Sequence, residues 1–164
     1  MDEMHYQLDL LKAMNEKLLG SEKMFRMICG TSSNAFLFYS FKDNRFETLG
    51  SWEQYFEFSV TSPADFQNML GCVKEKYVSE LERVLYCERT GEESLSFECE
   101  LSDSNKWVEF EVTISYDEKL NPSEKIVRIR DITKAKRQNE DLKYMAYYDA
   151  LTGLYNRNYF VRLL

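Results

Sequence analysis

The sequence has a single histidine, His5, and that scarcity removes much metal and catalytic chemistry at once. Its four cysteines, Cys29, Cys72, Cys87 and Cys99, stand singly, with no Cys-x-x-Cys pair. A zinc site needs thiolates or imidazoles gathered at ligand spacing, so no metal is expected and the thiols read as reduced and mostly buried. There is no Gly-x-Ser-x-Gly, no Gly-rich phosphate loop and no second histidine to serve as base, so no catalytic residue is assigned. Glu92, Glu93 and the many other carboxylates read as solvation rather than as acid–base pairs. Basic residues are in deficit, 21 Lys and Arg against 28 Asp and Glu. The resulting charge of −7 repels phosphate backbones, which makes nucleic acid an unexpected partner. No apolar run is long enough to span a bilayer, and the acidic, amphipathic start MDEMHYQLDL is unlike a signal peptide. The expectation is a cytoplasmic protein with no membrane partner in this chain.

What is present is enough for a core. Hydrophobic residues make up 44% of the chain and aromatics 15%, which argues against disorder and for one domain with flanking helices. Met4, Leu8, Leu11 and Leu18 recur in steps of four and three, with Asn15 in the gap. That spacing predicts a heptad seam over residues 1–20, either a coiled coil or a helix lying on the domain's own surface. Gly20 and Ser21 interrupt it, and Ser21 is expected to cap a short second helix over residues 22–28. The run at 35–41 is apolar on both faces, as in a strand covered on one side by the interior and on the other by a helix or a partner subunit. A turn at 42–45 returns the chain as a strand over 45–49, with Phe46 and Thr48 on one face.

Helical spacing comes next. Trp52, Tyr55, Phe56 and Phe58 suit a short aromatic helix. Ser62 and Pro63 start another that carries Phe66, Met69, Leu70 and Val73. Val78, Leu81, Val84 and Leu85 define a third, ending before Gly91. Alternation then predicts strands through Leu95, Phe97, Cys99 and Leu101, through Val108, Phe110, Val112 and Ile114, and over 125–132. The order makes an α+β domain with one antiparallel sheet of five strands.

Three strings carry a resemblance. Ser21-Glu22-Lys23-Met24-Phe25-Arg26 resembles the short helix before the first strand of PAS domains. Asn105-Lys106-Trp107-Val108-Glu109 resembles the start of the fourth PAS strand, and Asp131-Ile132-Thr133 the corner that ends many PAS domains and launches their output helix. The likeness spans residues 21–133 and implies a PAS-like sheet with short helices on one face. A carboxylate and a hydroxyl at such a corner can cap the next helix. Whether Asp131, Ile132 and Thr133 relay a signal or form an ordinary cap stays open. Residues 134–148 then read as a signalling helix, with Ile132, Ala135, Asn139, Leu142 and Met145 or Ala146 at heptad-like steps. Two helices bracketing the domain, each with an Asn in a weak seam, favour a parallel homodimer over an idle solvated linker.

The string from Asp149 to Arg157 is the most specific. Asp149, Leu151, Thr152, Leu154, Asn156 and Arg157 match the opening motif of GGDEF domains, which make cyclic di-GMP from two GTP molecules. The resemblance implies that residues 149–164 begin such a domain. The family's signature and metal-binding carboxylates lie downstream of that motif and are not among these residues, so the chain is not expected to be an enzyme by itself. The protein containing it is expected to be a diguanylate cyclase, or to carry a degenerate GGDEF or a phosphodiesterase domain.

PAS cores often hold small molecules. Heme usually needs an axial histidine, and His5 precedes the domain, so heme is not expected. Covalent flavin needs a cysteine in an Asn-Cys-Arg-Phe-type string, and Cys72, in Met-Leu-Gly-Cys-Val-Lys, departs from it. An organic ligand lined by Phe36, Phe38, Phe46, Trp52, Phe97 and Phe110 stays open against plain core packing. The functional expectation is a sensor acting through a helix on a GGDEF output. Its competitors are a ligand-free dimerisation scaffold and the input of another output class. A histidine kinase would need a phosphoacceptor histidine, which residues 134–164 lack.

Overall fold

A computed structural model describes residues 2–88 and 94–163; the expected helix boundary at Gly91, and Glu92 and Glu93, lie outside the described residues. The chain runs α1 (Asp2–Thr31), β1 (Ala35–Ser40), β2 (Arg45–Gly50), α2 (Phe66–Gly71), α3 (Val78–Tyr86), β3 (Ser94–Glu100), β4 (Trp107–Tyr116), β5 (Pro122–Asp131), α4 (Thr133–Tyr147) and α5 (Arg157–Leu163). Single 3-10 turns at Trp52–Gln54, Pro63–Asp65 and Glu75–Tyr77 separate β2, α2 and α3. The five strands form one sheet in the order β2-β1-β5-β4-β3, every neighbour antiparallel. Pro122, which cannot donate to a ladder, stands at the first position of its strand.

Register sorts the side chains into two faces. One cross-strand row runs Gly50, Ala35, Ile129, Phe110, Phe97, and the next on the same face runs Thr48, Leu37, Val127, Val112, Leu95. These pack against Trp52, Phe56, Phe66, Met69, Leu81, Val84 and Leu85 from the short helices to make the core. The row between them, Leu49, Phe36, Arg128, Glu111, Ser96, belongs to the opposite face. There α1 lies on the sheet: Phe25 meets Phe38 edge-on at 5.3 Å, and Arg26 pairs with Glu47 at 2.7 Å. Farther along, Arg130 pairs with Glu109 at 2.6 Å and Arg128 with Glu111. The two-sided apolar character of β1 thus has a helix as its second cover.

Several boundaries differ from the sequence expectation, each for a physical reason. The N-terminal helix does not stop at Gly20; α1 passes through Gly20 and Ser21 to Thr31, and Ser21 caps nothing. A mid-helix glycine costs only about 1 kcal/mol against alanine. The Glu22–Arg26 pair and the seat of Phe25 and Cys29 against the domain hold the next turns of the helix. The aromatic helix is a single turn, and Phe58 lies beyond it, its carbonyl accepting the Trp52 indole N–H at 2.7 Å. Before α2 the start is the expected one: Ser62 is the N-cap of the 3-10 turn, Pro63 stands in its first turn, and the capping box is completed by Asp65. The Asp65 carboxylate accepts from the Thr61 and Ser62 N–H groups at 2.8 and 3.0 Å, which lowers its pKa.

One buried charge has no signal in the sequence pattern. Lys125 points to the core side of β5 and is 4% exposed. Its ammonium donates to Leu85 O and, at 2.8 Å, to Cys87 O, at the C-terminal end of α3. Carbonyls there have no intrahelical partner, and the helix dipole favours a cation. Burial nonetheless pushes the ammonium pKa down. Cys99, fully buried, has its thiol pushed up to about 12, which makes it an inert core group.

Candidate functional site

The strand-to-helix corner is built by three elements. At its last residue β5 pairs Asp131 with Val108 of β4. Asp131 Oδ1 accepts the Thr133 N–H at 2.8 Å, so this carboxylate caps the first residue of α4. The Thr133 hydroxyl turns away from the helix and accepts the Trp107 N–H at 3.0 Å, while the Ile132 N–H donates to Trp107 O at 2.8 Å. Ile132 is buried, and its carbonyl takes the first helical bond, from Lys136 N–H at 2.9 Å. The corner is therefore bonded to β4 on both sides of the Trp107 peptide. Thr133 acts as a strand tether where the sequence suggests a second cap.

Two further groups clamp the same turn and are not legible as site residues in the sequence. Lys136 stands over the Trp107 ring at 4.7 Å and pairs with Glu98 of β3, fixing the first turn of α4 to the sheet edge. The Tyr55 hydroxyl, 76 residues away in sequence, accepts the Asp131 N–H at 3.1 Å and donates to Ser33 O at 2.9 Å. In the sequence Tyr55 counts only as part of an aromatic cluster, and no local pattern announces a contact of that span.

The corner's bonds have measurable worth. Thr133→Val keeps the shape and leaves the half-buried Trp107 N–H without its acceptor, an expected loss of about 1–2 kcal/mol. Asp131→Ala removes the cap at a cost of about 1 kcal/mol. Urea unfolding of each variant, at unchanged m-value, checks both.

The six aromatic candidates do not share one site. Phe46, Trp52, Phe97 and Phe110 are on the core side, with Phe97 stacked on Phe110 at 5.7 Å and Phe46 on Tyr39 at 4.4 Å. Phe36 and Phe38 are on the opposite face beneath α1, because strand alternation puts them out of phase with Ala35 and Leu37. Trp52 lines a surface pocket of about 580 Å³ with Phe56 and Phe58. Phe38 lines another, about 440 Å³, with Phe25 and Leu49. The Cys72 thiol donates a hydrogen bond to Asn68 O, and His5 lies on α1. Among the described residues no group of three or more His, Cys, Asp or Glu could hold a metal, and no helix is long and apolar enough to cross a membrane.

The Asp149–Arg157 string folds into a tight turn after α4. Asp149 Oδ1 accepts from the Leu151 and Thr152 N–H groups and the Thr152 hydroxyl, at 2.9 to 3.1 Å, which lowers the carboxyl pKa. Asn156 Oδ1 accepts the Asn158 N–H at 2.9 Å at the start of α5, and its amide donates to Ala146 O at 3.0 Å. Stacked tyrosines join α4 to this turn: Tyr144 on Tyr148 at 4.6 Å, Tyr148 on Tyr155 at 4.7 Å, Tyr155 on Tyr159 at 3.7 Å. Arg157 is exposed at the first position of α5, and Leu151 and Leu154 are exposed, Leu151 to 94%.

A scan against family models gave no match, and neither did a search of curated proteins. Solved structures do match. A sensory box histidine kinase/response regulator from Burkholderia thailandensis E264 aligns at 12% identity and TM-score 0.50, over 73% of this chain and 92% of that one. The PAS domain from Bordetella pertussis BvgS aligns at 17% identity and TM-score 0.47, over 76% and 97%. The N-terminal domain of a diguanylate cyclase with PAS/PAC sensor from Marinobacter aquaeolei aligns at 10% identity and TM-score 0.47, over 63% and 99%. With its five antiparallel strands in the order β2-β1-β5-β4-β3 and short helices on one face, this chain has a PAS-like α+β fold, which it shares with the sensory box protein from Burkholderia thailandensis.

Proposed function

We propose that this chain is the sensory input of a signalling protein, acting through α4 on a C-terminal GGDEF-type domain that makes cyclic di-GMP. The observation that carries the reading is the unbroken bonded path from sheet to turn. It runs from β4 through Trp107 and Thr133 into α4, and from Ala146 and Tyr148 into Asn156 and Tyr155. A shift of the corner would move α4 and the opening turn of the output together. The exposed Leu151 and Leu154 support it, being apolar motif residues that a downstream domain would cover.

Homodimerisation is part of the same proposal. Met4, Leu8, Leu11 and Leu18 on α1, and Leu142 and Met145 on α4, are exposed along the seams the sequence suggests. Joining two GTP molecules requires two output domains to meet, so a change in how the helices pair would control synthesis. A weak seam suits this, since alternative packings then differ by only a few kcal/mol.

The test is a series of one to four residues inserted within α4 of the protein that carries the output domain. Each added residue rotates the downstream chain by about 100° about the helix axis. Cyclic di-GMP synthesis should therefore change several-fold with two inserted residues and return towards the parent level with four. Output that stays flat across the series would remove the lever.

A ligand-free version of this reading has its own support. Phe110, Leu37, Met69, Leu81, Leu85 and Ile129 are all essentially inaccessible, as in a filled core. A native mass spectrum separates the two versions: bound mass beyond the polypeptide favours ligand gating, and its absence favours a scaffold.

A further inference from the structure

We propose that Tyr55 is the positioning residue that couples α1 to the corner, its one hydroxyl joining the turn after α1 to the last residue of β5. The inference rests on the signalling reading above and names the group through which the N-terminal helix would take part in it.

Register explains why the hydroxyl is needed at this place. The β1–β5 ladder ends with Ala35 opposite Ile129. Extending that register by two residues sets Ser33 opposite Asp131. A continued ladder would bond the Asp131 N–H to Ser33 O directly. Instead the Tyr55 hydroxyl stands between them, accepting from Asp131 N–H at 3.1 Å and donating to Ser33 O at 2.9 Å. Both roles are required at once, and an aromatic hydroxyl on a half-buried ring fills them with little freedom.

The segment that carries Tyr55 grips the same turn at two more points. Ser51 Oγ donates to Ser32 O at 2.9 Å, and Ser51 N–H donates to Asn34 O at 2.9 Å. Ser32 in turn takes the Asn34 N–H on its hydroxyl at 3.1 Å and donates its own N–H to Cys29 O, within α1, at 3.2 Å. Three successive carbonyls, those of Ser32, Ser33 and Asn34, are thus held by one short segment. A displacement of α1 on the sheet is carried by this bracket to Tyr55 and from there to Asp131. The other face of Asp131, through its carboxylate, already holds the first N–H of α4.

The experiment is residue-resolved amide exchange on the 164-residue chain and its Tyr55→Phe variant. That substitution keeps the ring and removes one oxygen. Exchange at Asp131 should rise about tenfold, with Val127 and Ile129 changed by less than about twofold. Coupling is read from Phe25→Ala, which loosens α1 from Phe38. It should raise Asp131 exchange in the parent and add nothing in the Tyr55→Phe background. A second variant, Arg26→Ala, releases α1 from Glu47 instead and should behave alike. An Asp131 amide unmoved by Tyr55→Phe, or α1 variants with equal effects in both backgrounds, would overturn the proposal. Neither result depends on the output domain, so the joint can fail while the insertion series in α4 still supports the lever, and the reverse.

Discussion

Gly50→Ala is expected to remove about 3 kcal/mol or more of stability, from one methyl group. Gly50 ends β2 with φ of +75°, a left-handed backbone that costs an L-residue roughly 1–2 kcal/mol. An added Cβ would also lie 2.3 Å from Asn34 O and 3.2 Å from Cys29 O. Neither oxygen is free to retreat, since Asn34 O accepts the Ser51 N–H and Cys29 O accepts the Ser32 N–H. The strain falls on the bracket that holds the turn after α1, so the damage should reach beyond stability. In a urea titration the midpoint should fall sharply. Amide exchange at 32–34 and at Asp131 should quicken even where the variant remains folded. A loss under about 1 kcal/mol would mean that the turn relaxes freely, and that it transmits nothing.

That glycine also marks where the sequence stops being informative. Alternation in 95–101, 108–114 and 125–132 is enough to place three strands, because each side chain there answers only to the face it occupies. The spacing of Leu81, Val84 and Leu85 places α3 for the same reason. The strand ending at Leu49 is legible, but not the left-handed residue after it, whose need arises from Asn34 and Cys29 across the turn. At the corner, Asp131 and Thr133 can be singled out because capping is local. The partner of the Thr133 hydroxyl cannot be read locally, since the Trp107 N–H that claims it in place of the helix belongs to another strand. Tyr55 and Lys136 lie outside any local rule, one joined to the corner at the end of the β1–β5 ladder and the other clamped on Trp107 and Glu98. The aromatic candidates divide in the same way. Composition shows many rings, but only register shows that Phe36 and Phe38 face α1 while Phe97 and Phe110 face the core.

Phe110→Ala decides between core and pocket for those rings. Phe110 is fully buried at the centre of the row Ala35, Ile129, Phe110, Phe97, with Phe97 stacked on it at 5.7 Å. In a filled interior the truncation loses the transfer energy of the ring and leaves a cavity that its neighbours cannot close, about 3–5 kcal/mol in all. If the rings instead lined a ligand site standing open in the unliganded protein, the removed atoms would have had few partners. The loss would then be near 1 kcal/mol, roughly that of a half-exposed side chain. Phe36→Ala supplies the internal control. Its ring is part-exposed on the α1 face and 6.2 Å from Phe38, so a cost of about 1–2 kcal/mol is expected whichever alternative holds. Urea unfolding of both variants without added ligand, at equal m-values, gives the comparison. A Phe110→Ala loss more than twice that of Phe36→Ala establishes packing as the first duty of the interior rings. Any ligand of this domain would then have to be sought at a surface pocket, beside Trp52 or beside Phe38 under α1.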